Sequence, residues 1–197
     1  MRKLISVSLA AVVLLAACKR GEKAAPAATS SSSTTSAAKT TTQQASGSQA
    51  PSSDAALDVG SAMPDYSATA LDGSKFELAS HRDKVVLLNI WATWCGPCRY
   101  EIPELQTLQS KYGARGFEVV GISVDESGVD SVKQFVAANK MTYPIAIDAE
   151  GRIAGMFQTS VLPTSVIVDR SGRVVWKKYG AIEPNDDELR KAIEKAL

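Results

Sequence analysis

From about residue 60 onward, short apolar runs alternate with stretches in which apolar residues recur every three or four positions. Tyr66 to Ala70 and Ser74 to Leu78 flank Asp72-Gly73, a turn signal, and predict a short hairpin. Lys84 to Trp91 is almost continuously apolar, the pattern of a strand covered on both faces. From Cys98, the residues Ile102, Leu105, Leu108 and Tyr112 recur at helical spacing until Gly113 and Gly116 stop the run. Phe117 to Val124 predicts a second buried strand. Val129, Val132, Phe135 and Val136 mark another helix, with acidic residues near its start as the helix dipole prefers. Tyr143 to Asp148 is strand-like and ends at Glu150-Gly151, and Arg152 to Gln158 predicts a short helical turn. Val166 to Asp169 and Val174 to Lys178 flank Arg170-Ser171-Gly172 and predict an antiparallel hairpin. Asp186 or Asp187 caps a last helix with Leu189, Ile193 and Leu197 on one face. The order βαβαβ followed by ββα implies an α/β domain, a central mixed sheet flanked by helices on both faces.

The first 58 residues follow other rules. Arg2 and Lys3 precede an apolar stretch, Leu4 to Leu15, shorter than a membrane span needs. It ends in Leu15-Ala16-Ala17-Cys18, which resembles a bacterial lipoprotein signal: residues 1–17 would be removed and Cys18 lipidated. Ordinary secretion with cleavage nearby is the alternative. Lipidation would account for the odd cysteine, since a free thiol outside the cytoplasm is a liability. Acyl chains hold firmly, each buried CH2 contributing about 0.8 kcal/mol. Lys19 after the cysteine favours, by resemblance to proteobacterial sorting, an outer membrane where the cell has one. Residues 18–58 then read as a flexible tether rich in Ala, Ser and Thr, without enough apolar surface to offset the entropy of ordering. Residues 59–197 suffice for one domain with a core. The chain carries formal charge +1 and no basic patch, so nucleic acid is not an expected partner, and a monomer is expected.

The chemistry centres on Cys95 and Cys98 in WATWCGPCRYE, at the junction of a buried strand and a helix. Two thiols three residues apart can close into a disulfide and open again. Cys95 lies just before the helix, where unpaired N–H groups and the dipole favour its thiolate, the nucleophilic form. It is the expected exposed, attacking cysteine, and Cys98, inside the first turn, the covered, resolving one. Pro97 suits a first-turn position because its missing N–H has no helical partner there. Gly96 leaves room for a partner chain. A CxxC pair is also half of a zinc site, but the chain offers one histidine, His81, and Cys18 besides. No metal and no cofactor is expected. An inert structural disulfide remains the plain alternative.

WCGPC after a buried strand resembles the thioredoxin fold. With VVLLNIWATW before it, CRYEIPEL after it and VLPTSVIVDRSGRVV further on, the chain resembles the periplasmic TlpA/ResA-like branch over about residues 62–197. The resemblance implies an inserted βα unit, about residues 119–147, between the CxxC helix and a cis-proline segment. Pro163 in Leu162-Pro163-Thr164 matches that cis-proline, which would free the Leu162 backbone to pair with an extended substrate; otherwise it merely starts a strand. Glu101 matches an active-site glutamate of ResA-like proteins, placed to relay a proton to or from the thiols. A solvated first-turn glutamate is the alternative. Pro103 matches the helix-kinking proline. Trp94 is expected to cover the thiols and, with Gly96, Pro97, Leu162 and Thr164, to contact substrate. Many thioredoxins hold a buried aspartate six residues before the first cysteine. Asn89 stands there, and an amide cannot accept a proton.

The family reading is a membrane-tethered reductase of disulfides in extracytoplasmic proteins such as apocytochrome c or copper-site assembly proteins. Thioredoxin-type pairs lie near −270 mV, so an oxidising compartment would require a membrane electron donor, of DsbD or CcdA type by resemblance. Two other functions are weighed. A copper chaperone or respiratory-complex assembly factor could hold Cu(I) on the thiols, but no histidine follows His81. A peroxiredoxin-like peroxidase would need a Pro-x-x-x-Thr/Ser-x-x-Cys setting, and Leu87 to Trp94 contains no proline.

Overall fold

The computed structural model describes residues 55–197; the expected export signal, Cys18 and the expected tether as far as residue 54 lie outside the described residues. The strands are β1 (Ser67–Ala70), β2 (Lys75–Glu77), β3 (Val85–Trp91), β4 (Phe117–Ser123), β5 (Ile145–Ile147), β6 (Thr164–Val168) and β7 (Val174–Tyr179). The helices are α1 (Gly96–Tyr112), α2 (Val129–Ala138), α3 (Arg152–Met156) and α4 (Asp187–Ala196). All seven strands form one sheet in the order β2-β1-β5-β4-β3-β6-β7. The pairs β3/β4 and β4/β5 are parallel and the rest antiparallel, so the sheet is mixed as expected.

The strand pleat sorts the core into two layers. Odd-numbered residues of the central strands, among them Leu87, Val119 and Ile167, face Ile102, Leu105 and Leu108 of α1, Val132 of α2, and Leu189 and Ile193 of α4. Even-numbered residues, among them Leu88, Val120 and Val166, face Met63 and Tyr66 of the entering chain and Ile153 of α3. Both faces of β3 are covered, which is why its sequence is a continuous apolar run rather than an alternation. Asp186 caps α4, accepting from Leu189 N at 3.0 Å, which decides between the two candidate caps.

Three details differ from the sequence expectation. Strand β6 begins at Thr164, two residues before Val166, pairing there with Ile90 and Tyr179. Thr164 and Ser165 look like loop in a hydropathy pattern, yet both are fully buried with their hydroxyls bonded, to Val161 O and from Asn89. Strand β5 is shorter than Tyr143 to Asp148, being confined to the three residues that pair with β4 and β1. Leu57, within the expected tether, donates its N–H to Met156 O at 2.9 Å, and Asp58 pairs with Lys177 at 3.0 Å. Among the described residues no helix is long and apolar enough to cross a membrane.

Candidate active site

Strand β3 delivers the chain to the centre of the sheet and stops at Trp91. The next residues form a turn, Cys95 N donating to Ala92 O at 3.1 Å, with Thr93 and Trp94 at its corners. Cys95 is the N-cap of α1, and its Sγ accepts from Cys98 N at 3.2 Å. That N–H is one of the unpaired donors of a helix start, so a negative sulfur there is stabilised by hydrogen bond and dipole alike. Cys95 and Cys98 are joined as a disulfide with Cα atoms 5.3 Å apart. A Cβ built on Gly96 meets no atom of the described residues within 4 Å, so the space beside Gly96 is open.

Two expectations fail in part. Cys95 is only 5% exposed and Cys98 2%, so in the disulfide form both sulfurs are covered and Cys95, the one expected to attack, is only marginally more accessible. Trp94, expected to cover them, is not packed down as a buried lid. It is 69% exposed, because the turn aims its corner residue outward. With Leu162 it lines a groove of about 270 Å³, together with Val124, Glu126, Ala154 and Thr159.

The other wall of the site is the segment before β6. The Leu162–Pro163 peptide bond is cis. Gly180 N, at the end of β7, donates to Pro163 O at 2.8 Å, and the Thr164 hydroxyl ties back to Val161 O at 2.7 Å. Pro163 is buried, Leu162 half-buried and Val161 exposed, so the segment presents its leading residues outward.

Glu101 sits one helical turn beyond Cys98 on the same face of α1. It is 1% exposed, which removes the solvated alternative. Its carboxylate accepts from Asn89 Nδ2 at 2.7 Å and from Ile182 N at 2.8 Å. Burial raises its pKa from 4.5 to about 7; the two hydrogen bonds and the charge of Lys178 oppose the rise without cancelling it. Asn89, placed by β3 on the α1 face, also donates to Ser165 Oγ at 3.0 Å. The amide that cannot take a proton is therefore the anchor of the carboxyl that can. The Tyr143 hydroxyl is buried without a hydrogen-bond partner among the described residues, and burial together with Glu101 pushes its pKa up.

Sequence reasoning missed three contributors. Ile182 acts through its backbone N–H, for which no residue-type signal exists. The anchoring role of Asn89 depends on β3 and α1 facing each other. Asp125 is fully buried beside the thiol loop, and its position at the carboxyl end of a central parallel strand, where sites gather in α/β sheets, was the available clue. His81 lies at the opposite end of the sheet, with Nδ1 2.5 Å from Glu118 Oε2 near the start of β4.

Residues 58–193 match the family model described as Redoxin. The thiol-disulfide oxidoreductase ResA of Bacillus cereus is 36% identical over 139 residues, covering 71% of this chain and 79% of that protein. The ResA of Geobacillus kaustophilus is 35% identical over 133 residues, covering 68% and 76%. Among solved structures, the Chlorobium tepidum protein assigned as thiol:disulfide interchange protein DsbE superposes with a TM-score of 0.67 at 31% identity, covering 72% of this chain and 99% of that one. A secreted thiol-disulfide isomerase from Corynebacterium glutamicum superposes at 0.62 with 29% identity, covering 67% and 83%.

Proposed function

Since the chain belongs to the redoxin family, and within it to the ResA-like thiol–disulfide oxidoreductases, we propose that Cys95 attacks client disulfides, Cys98 resolves them and Glu101 handles the proton between them. The protein is a thiol–disulfide oxidoreductase that acts on extracytoplasmic client proteins and partners with membrane redox proteins. In the reduced protein the Cys95 thiolate attacks one sulfur of a client disulfide. That S–S bond breaks, a client thiolate leaves, and a mixed disulfide forms. Cys98 gives its proton to the Glu101 carboxylate and attacks Cys95 Sγ, releasing the second client thiolate. The client gains two electrons and the protein ends as the Cys95–Cys98 disulfide. A carboxyl with a pKa of about 7 is suited to this exchange, being able to hold or release a proton near neutral pH. Trp94, Gly96, Pro97 and Leu162 form the surface on which the client strand lies; Pro163 is buried and shapes the Leu162 backbone behind it, and Thr164, expected to touch substrate, is fully buried with its hydroxyl on Val161 O and lies out of a client's reach.

The observation that carries this reading is the Cys95–Cys98 pair at the start of α1, Cys95 as its N-cap, with a buried carboxyl one turn behind Cys98. An electron donor of DsbD or CcdA type would regenerate the thiols. Apocytochrome c or a copper-site assembly protein would be the client, and lipidated Cys18 would hold the domain at the membrane, the outer one in a Gram-negative cell. Trapping tests the core of it. Cys98→Ser should accumulate clients as mixed disulfides on Cys95, and Cys95→Ser should trap far fewer; equal trapping by both refutes the assignment of roles. Purified wild type should reduce insulin disulfides, and a potential above about −150 mV would place it with the oxidants instead. Acyl label that persists in Cys18→Ala would refute the anchor.

A further inference from the structure

The turn that presents Cys95 leaves two backbone groups of Thr93 without partners inside it, and the structure supplies both from elsewhere. Asp125, just past the end of β4, accepts the Thr93 N–H at 2.9 Å and the Thr93 hydroxyl at 2.5 Å. The same carboxylate accepts from Ser123 Oγ at 2.7 Å and is fully buried. From the other side, Arg99 in the first turns of α1 donates to Thr93 O through Nε at 3.1 Å and a terminal nitrogen at 2.7 Å. Its guanidinium lies 5.2 Å from the centre of the Phe135 ring of α2, and Phe135 in turn lies 5.2 Å from Trp91, the last residue of β3.

We propose that Asp125 and Arg99 are positioning residues for the thiol pair, holding Thr93 by both backbone groups and so fixing the turn that seats Cys95 on the end of α1. The proposal rests on Cys95 being the attacking thiol. The physical reason is that a corner residue with a free N–H and a free C=O can rotate its two peptide planes. Rotation of either plane carries Cys95 away from the Cys98 N–H that stabilises its thiolate. A buried carboxylate with three donors is an expensive group to keep, and here its donors come from the thiol loop and the strand below it. Arg99 matters through its fork, which donates to one carbonyl from two nitrogens while its guanidinium carbon lies over the Phe135 ring. The clamp also ties the β4–α2 connection to the thiol loop, so the segment between α1 and β6 bears directly on the reacting sulfur.

The test is the pH profile of Cys95 alkylation by iodoacetamide in the fully reduced protein, with the adduct located by peptide mass. Asp125→Ala and Arg99→Ala should each slow alkylation at pH 7 by about fivefold, the size of one lost helix-terminus contact, and move the profile to higher pH. Asp125→Asn, which keeps an oxygen facing the Thr93 N–H, and Arg99→Lys should recover much of the loss. Asp148→Asn is the structural control. Asp148 is an equally buried carboxylate, bonded to Tyr66 and Ile153 N and not to the thiol loop, so this change should lower stability and leave the profile in place. Profiles coincident with wild type in the two alanine variants would overturn the proposal. So would equal shifts in Asp125→Asn and Asp125→Ala, which would mark a simple charge effect, or a comparable shift in Asp148→Asn. Arg99 is exposed, so its variants report even if an Asp125 variant fails to fold. Insulin reduction by wild type decides the thiol reading separately from this measurement.

Discussion

Glu101→Gln should abolish a dependence of stability on pH that has an unusual sign. Folded Glu101 keeps its proton up to about pH 7, whereas an unfolded glutamate loses it near 4.5. Between those values the folded state binds more protons than the unfolded one, so raising the pH costs stability. Below 4.5 both states are protonated and the stability is whole; above 7 both are ionised and the loss is complete. A shift from 4.5 to about 7 corresponds to about 3 kcal/mol, or roughly 10 °C in melting temperature for a domain of this size. Glutamine imitates the protonated acid, with one acceptor for Asn89 or Ile182 N and a neutral donor, so its contribution is the same at every pH. The assay is urea unfolding of wild type and Glu101→Gln at half-unit steps from pH 4.5 to 8. The disulfide is kept closed so that no thiol titrates. The other resolved carboxylate shifts, at Asp58, Asp72, Asp169, Asp186 and Glu194, are downward, and act below this window. The difference, wild type minus variant, should fall by about 3 kcal/mol across it. A flat difference curve, or one that rises with pH, would show that the carboxyl is ionised throughout and refute the proton role built on it.

Asn89→Ala removes a donor that favours the ionised carboxyl, so the Glu101 midpoint should move above 7, read by carbon NMR of labelled glutamate; an unchanged midpoint would mean the 2.7 Å bond has no electrostatic consequence. Gly121→Ala builds a Cβ 2.7 Å from Ile145 Cδ1 and 2.9 Å from Trp91 Nε1, and should cost about 1–3 kcal/mol in urea unfolding, with a neutral result implying that those side chains yield freely. Asp186→Ala deletes the α4 cap and its contact with Lys178, and should cost about 1 kcal/mol, whereas Asp186→Asn should recover most of it.

Much of this molecule was legible before any coordinates. The continuous apolar run of β3 announced a strand covered on both faces, the spacing of Ile102, Leu105 and Leu108 announced α1, and CGPC between them announced the thiol chemistry. Each rests on near neighbours in the chain, whose geometry a period of two or of 3.6 residues already settles. What stayed hidden depends on residues remote in sequence. Glu101 and Ile182 are 81 positions apart, and Asp125 and Thr93 are 32 apart. Their meeting depends on strand order and on which pleat faces which helix, not on composition. Thr164 and Ser165 looked like loop because hydropathy cannot register a hydroxyl that is buried and bonded.

The sequence by itself determined the elements, their order, the redox pair and the candidate carboxyl. Tertiary structure alone decided that this carboxyl is buried and anchored by an amide, that Trp94 turns outward, and that Asp125, remote in sequence, bonds Thr93 of the thiol loop. The physical reason is that protonation and loop geometry answer to desolvation and to distant hydrogen-bond partners, and both come into being only when the chain has closed around them.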